Sequence, residues 1–179
     1  PGSVGAEAYR ILRARLQAAA PRMQTLLVTS ALPSEGKSTT VANLGIAYAR
    51  LGVKVLLVDL DLRRPSLHRH FWLSNFEGVA TALVSRKPWR ELIQDTPMRN
   101  LKVLPTGVNV HNRSDLLSLQ STTALIEQFK REFITQTNIG NAENRKYFFW
   151  NNRNARRKQS GTLIYWFKEF LDVVGNCLL

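Results

Sequence analysis

The chain has 179 residues, 44 % of them apolar, a size and composition that suit one domain with a buried core. It contains no run of 18 or more apolar residues and a single cysteine, Cys177, so the sequence offers no membrane-spanning helix and no disulfide framework, and it fits a reducing compartment. The formal net charge is +12. Charge of that sign raises nucleic acid or an anionic membrane surface as partners, but it is spread along the chain. Eighteen basic and ten acidic residues precede Phe133, and seven and three follow. No arginine-rich helix or aromatic-interleaved stripe stands out, so nucleic acid is not expected as a partner.

The opening Pro1-Gly2-Ser3-Val4-Gly5 carries neither an initiator Met nor the apolar region of a signal peptide, which suggests a piece of a longer protein. Ala8, Ile11, Leu12 and Leu16 then recur at helical spacing and predict an amphipathic helix. Glu7, Arg10 and Arg13, three apart, share its other flank, where within one helix they form ordinary surface pairs. Pro21 ends the helix. Leu26 to Val28 reads as a short buried parallel strand. A tight turn with Pro33 and Gly36 follows, and Lys37-Ser38-Thr39 opens a helix running through Ala42, Leu44, Ile46, Ala47 and Leu51.

Strand, turn, Gly-Lys-Ser and helix in that order form the context of a phosphate-binding loop. Backbone N–H groups of Ser34, Glu35, Gly36, Lys37 and Ser38 are expected to converge on a phosphate at the helix N-terminus, where free donors and the helix dipole favour an anion. Lys37 is placed to bridge the β- and γ-phosphates and the Ser38 hydroxyl to hold Mg²⁺. Position 31, the usual first glycine of such a loop, is Ala31.

Leu51-Gly52 marks the helix stop. Lys54 to Val58 is a second buried strand that delivers Asp59-Leu60-Asp61-Leu62-Arg63-Arg64-Pro65 to its carboxyl end, the edge at which open α/β sheets bind ligands. Two carboxylates spaced i, i+2 there are placed for Mg²⁺ and for taking a proton. Beyond Pro65 the signals weaken. His68 to Phe71 and Thr81 to Val84 predict short helices, and Arg86 to Arg90 a loop. His68, His70 and His111 lack the spacing of a zinc site and read as surface or loop residues. Asp95-Thr96-Pro97 imitates the end of an acidic strand, but Glu91 and Gln94 break the apolar run that should precede it. Leu101 to Leu104 is a third strand, followed by a turn at Pro105 to Gly107. Ser114 caps a helix through Leu125, Ile126 and Phe129 to about Arg131.

These pieces together resemble the ATPase-fold domain of bacterial tyrosine kinases that regulate capsule and exopolysaccharide assembly, over about residues 7–132. Glu7-x-x-Arg10-x-x-Arg13 resembles the family's oligomerisation helix. Ser30-Ala31-x-Pro33-x-Glu35-Gly36-Lys37-Ser38-Thr39 resembles its phosphate loop, missing first glycine included. Val58-Asp59-x-Asp61-x-Arg63-Arg64-Pro65 resembles its second acidic motif. Leu101-x-Val103-Leu104-Pro105-x-Gly107 with Asn112-x-Ser114-x-Leu116-Leu117 resembles a further segment, with Arg113 in place of the usual proline.

The resemblance implies a P-loop NTPase fold, a mainly parallel sheet flanked by helices. It implies Mg-ATP at Ser34 to Thr39, with Lys37 and the metal neutralising charge on the transferred phosphoryl group. Asp61 is implied as acceptor or positioner of a tyrosine hydroxyl proton, Asp59 (with Ser38) as metal ligand, and Arg63 as support for the acidic pair. It also implies a ring-forming homo-oligomer, tyrosine-bearing protein substrates, a membrane-embedded activator that is fused or separate, and a place at the cytoplasmic face of the bacterial plasma membrane.

From Phe133 the chain departs from that pattern. The family's next apolar strand, ending in Asp-x-Pro-Pro, is not found after Glu132, where Thr135, Gln136, Thr137 and Asn138 stand. An Asn- and Arg-rich stretch to Lys158 and an apolar segment from Leu163 to Val174 follow, with only Tyr147 and Tyr165 in place of a tyrosine-rich tail. Residues 1–132 are therefore expected to form the core, incomplete on its C-terminal side, and 133–179 a divergent tail from a frameshifted or truncated gene. Two other readings stay open. One is a DNA-partitioning or cell-division-placing ATPase, against which Leu32 stands where such ATPases carry a signature lysine; the other is an inactive nucleotide-binding remnant.

Overall fold

A computed structural model describes residues 4–23, 25–30, 34–85, 87–108, 124–125, 127–129 and 146–151, the last group by backbone alone. Helix α1 spans Val4–Ala19 and strand β1 Thr25–Val28. Helix α2 spans Lys37–Ala49 and strand β2 Lys54–Asp59. Helix α3 is Val79–Ser85, and strands β3, β4 and β5 are Gln94–Asp95, Leu101–Leu104 and Lys146–Asn151. Two 3₁₀ turns, Leu67–Phe71 and Trp89–Leu92, lie between them. This is the α/β architecture the sequence predicts, with β1, α2, β2 and β4 close to the expected positions.

The sheet runs β1-β5-β2-β4-β3. All pairings are parallel except β3 with β4 at the edge. Strand β2 shows why the sequence alternates nothing there: Val55 and Leu57 face one cluster of buried side chains, Leu56 and Val58 another. A strand covered on both faces must be apolar throughout. On the first face lie α2 and, outside it, α1, whose Leu16 joins Val41, Leu44 and Tyr48 in the core. Gly45 lets α2 close onto the sheet, since a Cβ there would come within 2.7 Å of Leu57 Cδ2. The second face holds Trp89 and Leu92 with Leu125 and Phe129, and the Trp89 and Phe129 rings meet edge-on at 4.7 Å.

Two expectations need correction. The sequence reading finds no strand after Glu132, yet β5 occupies the sheet's centre, between β1 and β2. The strand sits farther along than expected, in the aromatic run Tyr147 to Trp150, inside a stretch whose Asn and Arg content disguises it. Second, Arg86 to Arg90 is no simple loop, because Trp89 opens a 3₁₀ turn and is buried. Asp95, by contrast, is the decoy it seemed. It ends a two-residue antiparallel edge strand and pairs in the open with Lys102 at 2.9 Å. Residues 124–125 and 127–129 are helical, in line with the predicted helix. Its Ser114 cap, Pro33, Leu32 and the Leu163 to Val174 segment lie outside the described residues.

Candidate functional site

Strands β1, β5 and β2 run parallel in one register row that ends with Val28, Asn151 and Asp59. Their carboxyl ends therefore form a shared edge, and the described residues 34–36 lead into α2 from it. Within that stretch Ser34 and Gly36 take left-handed backbone angles, φ 64 and 85. Only glycine adopts that angle without strain, and a Cβ built on Gly36 would meet no protein atom within 4 Å. The backbone conformation, rather than crowding, demands glycine. A left-handed residue followed by the helical Lys37 points successive N–H groups to one side, a concavity suited to an anion.

Lys37 sits at the start of α2, 8 % exposed, and its ammonium donates to Ser30 Oγ at 2.9 Å. A buried cation held by a neutral hydroxyl has lost hydration that a carboxylate or phosphate would replace. Among the described residues no carboxylate supplies that partner. The residues thus fit a bound phosphate chain. Next to it, Ser66 Oγ donates to Ser38 Oγ at 2.8 Å, tying the end of the β2 loop to α2.

The two carboxylates organise that loop. Asp59 is wholly buried; its Oδ1 accepts from the Asp61 N–H at 3.1 Å, and its Oδ2 from the N–H groups of Ser66 and Leu67 at 3.1 and 3.0 Å. Asp61 Oδ1 accepts from the N–H groups of Arg63 and Arg64 at 3.2 and 3.0 Å. Each carboxylate closes a turn with backbone donors, so the acidic motif folds over residues 59–67 as one hydrogen-bonded unit. Burial pushes the Asp59 carboxyl up to about 6, a rise that three backbone N–H bonds moderate.

Between the two loops lies a cavity of about 520 Å³ lined by Ser34, Gly36, Lys37, Ser38 and Thr39 on the α2 side and by Arg63, Arg64, Pro65, Ser66, Arg69 and His70 on the other. The volume lies within the range of small-molecule sites. Of the residues expected at the site, Glu35 is exposed and does not line this cavity. Asp59 and Asp61 stand behind the lining residues. Glu7 and Arg10 form an exposed pair on α1 at 2.8 Å, whereas Arg13 donates to the Ala47 carbonyl of α2 at 2.9 Å.

The sequence matches the CobQ/CobB/MinD/ParA nucleotide-binding domain family over residues 26–165. The chain belongs to that family. Several of the similar proteins are tyrosine kinases. The tyrosine-protein kinase YwqD of Bacillus subtilis is 39 % identical over 120 residues, 66 % of this chain and 51 % of YwqD. The crystal structure of the chimerical protein CapA2B2 is similar with a TM-score of 0.71 and 29 % identity, over 88 % of this chain and 65 % of that one. The kinase domain of the Escherichia coli tyrosine kinase ETK gives 0.70 and 25 %, over 88 % and 58 %. The resemblance read from the motifs is thus borne out, and the chain spans about half the length of the relatives it matches.

The cavity is lined by more residues than the motif string holds. Ser66, Arg69 and His70 also line the cavity, and His70 is exposed, as its surface reading expects. The available signal is position: all three follow the acidic strand end at Asp59 within eleven residues, in the loop where an α/β sheet gathers ligand contacts. Desolvation lowers the His70 imidazole below its usual range, which favours its neutral form.

Proposed function

We propose that this chain is the nucleotide-binding part of a bacterial tyrosine kinase of capsule or exopolysaccharide assembly, transferring a phosphoryl group from ATP to tyrosine. The observation that carries the nucleotide reading is the buried Lys37 ammonium, held at a helix N-terminus behind a left-handed Gly36. The kinase relatives support the choice of reaction.

Ser34 to Thr39 cradle the phosphates, and Lys37 offsets charge that builds on the transferred group. The Ser38 hydroxyl would hold Mg²⁺, which would neutralise phosphate charge. Asp59, at the end of β2, would support that metal position from behind the loop, its Oδ1 accepting the Asp61 N–H. Asp61 orients or accepts the tyrosine proton, and Arg63 steadies the pair. Chemistry of this kind is chiefly positioning and charge stabilisation. We assign Glu7, Arg10 and Arg13 to contacts in a homo-oligomer, and a membrane-embedded partner to activation at the inner membrane face.

A second reading has its own observation. Asn151 stands at the register position beside Asp59, where a further carboxylate would assist the metal, and residues 152 onward lack the Asp-x-Pro-Pro of the relatives' expected pattern. We infer that transfer by this chain is slow and that 133–179 departs from the kinase core in sequence. Radiolabelled ATP, with and without a tyrosine-bearing partner protein, separates the possibilities. Phosphotyrosine supports the kinase; hydrolysis stimulated by DNA supports a partitioning ATPase; nucleotide binding with neither product supports the inactive form.

A further inference from the structure

We infer that Ser66 is a positioning residue for the metal that accompanies the nucleotide: its hydroxyl aims the Ser38 oxygen while its N–H holds Asp59, so one residue bridges both groups assigned to Mg²⁺. This rests on the nucleotide reading above and adds a member to its metal site. The observation behind it is a serine that neglects its local task. Ser66 stands at the cap position of the 3₁₀ turn Leu67–Phe71, with φ −143, and its side chain makes no cap bond there. A serine at a helix start ordinarily turns its hydroxyl onto an N–H two or three residues ahead, and is favoured there for that reason. Here Oγ turns the other way and donates to Ser38 Oγ at 2.8 Å, a partner 28 residues away in the chain.

The backbone of the same residue completes the bridge. Ser66 N–H donates to Asp59 Oδ2 at 3.1 Å, beside the Leu67 N–H at 3.0 Å. Asp59 is anchored at its other end, its backbone carbonyl accepting from the buried Thr106 hydroxyl at 2.8 Å. Asp59 ends β2 and Ser38 lies in the first turn of α2, so the two hydrogen bonds of Ser66 tie one secondary-structure element to another. Ser66 is half-buried and lines the cavity, which puts the bridge on the cavity wall and not in the core. The direction of its effect follows from the hydroxyl group. The Ser38 oxygen carries two lone pairs and a proton on a rotor. A donor on one lone pair fixes that rotor, and the oxygen is oriented before any metal arrives. Mg²⁺ sites require near-octahedral geometry, and a ligand already oriented costs less entropy than one that must be stopped from turning. Outer partners of metal ligands change metal affinity by about ten- to a hundredfold. A serine that merely held the loop would act equally with and without metal.

Isothermal titration calorimetry of the full chain with ADP, once in excess Mg²⁺ and once in EDTA, gives the factor by which the metal tightens nucleotide binding. In Ser66→Ala that factor should fall at least about threefold. Ser66→Thr keeps the hydroxyl and should restore the factor to within about twofold of the parent. A loop that had simply come loose would weaken both titrations alike. A loss shared equally by the Mg²⁺ and EDTA titrations, an unchanged factor, a factor raised in Ser66→Ala, or failure of Ser66→Thr to restore it therefore overturns the proposal. The parent chain separates the two readings. ADP that binds in EDTA with no tightening by Mg²⁺ overturns the metal positioning alone, and no binding in either buffer overturns the nucleotide reading with it.

Discussion

Replacing Lys37 with Met removes one charge and little else. The side chain is 8 % exposed, and its ammonium bonds only to the Ser30 hydroxyl among the described residues. Met keeps an unbranched stem of similar length, so the folded domain should lose no more than about 1 kcal/mol of stability from the broken hydrogen bond. The nucleotide should feel far more. A unit charge about 4 Å from a phosphate is worth about 4 kcal/mol at the effective dielectric of a partly buried site. Part of that repays dehydration of the phosphate itself, leaving about 1.4 kcal/mol or more, a tenfold or greater rise in Kd for Mg-ATP. Little is lost to ordering, because the ammonium is already buried and fixed before any ligand arrives. Isothermal titration calorimetry of the two proteins, with urea unfolding as the control, gives both numbers. A Kd within threefold of the parent, in a variant of normal stability, would refute the phosphate cradle.

Three further outcomes follow from the packing. Gly78→Ala should destabilise the domain by about 3 kcal/mol or more in denaturant unfolding, because its Cβ would lie 2.0 Å from the Pro105 carbonyl oxygen; a loss under 1 kcal/mol would mean that the loops part easily there. The Asp59 carboxyl, raised from 3.8 to about 6, keeps its proton to higher pH when folded. Its contribution to stability is therefore present below pH 3.8 and lost as pH rises through about 6, a fall of about 3 kcal/mol. In metal-free buffer Asp59→Asn should flatten that slope between pH 4 and 7, at some constant cost from its lost backbone bonds, and an unchanged slope would place the burial effect elsewhere. Finally, Glu7→Ala/Arg10→Ala should leave stability within about 0.5 kcal/mol, as an exposed pair does, and move light-scattering mass toward monomer. Arg13→Ala should cost about 1 kcal/mol of stability through its lost bond to Ala47; equal stability losses for the two would erase the distinction between them.

Much of the site could be read from the sequence because its signals are local. Gly36 must tolerate a left-handed backbone, Lys37 and Ser38 must stand at a helix start, and β2 must be apolar until Asp59; each requirement falls on residues adjacent in the chain. The roles of the two carboxylates were less legible. A spacing of i, i+2 at a strand end suits a metal pair, but the same oxygens can cap a turn, and here they accept backbone N–H groups of residues 61–67. Which of the two a carboxylate does depends on how the following loop folds back.

The sequence by itself determined the strand, loop and helix of the phosphate site and the acidic end of β2, since periodicity and backbone preference act over a few residues, and its motifs carried the resemblance to the kinases. Only the tertiary structure decided that β5 lies between β1 and β2, bringing Asn151 into the row of Asp59. It alone joined Ser66 to Ser38 and set Arg69 and His70 on the cavity wall. Parallel strands bond to partners far away in the chain, so order and register are set by side-chain packing across the whole sheet, and no stretch of residues carries them alone.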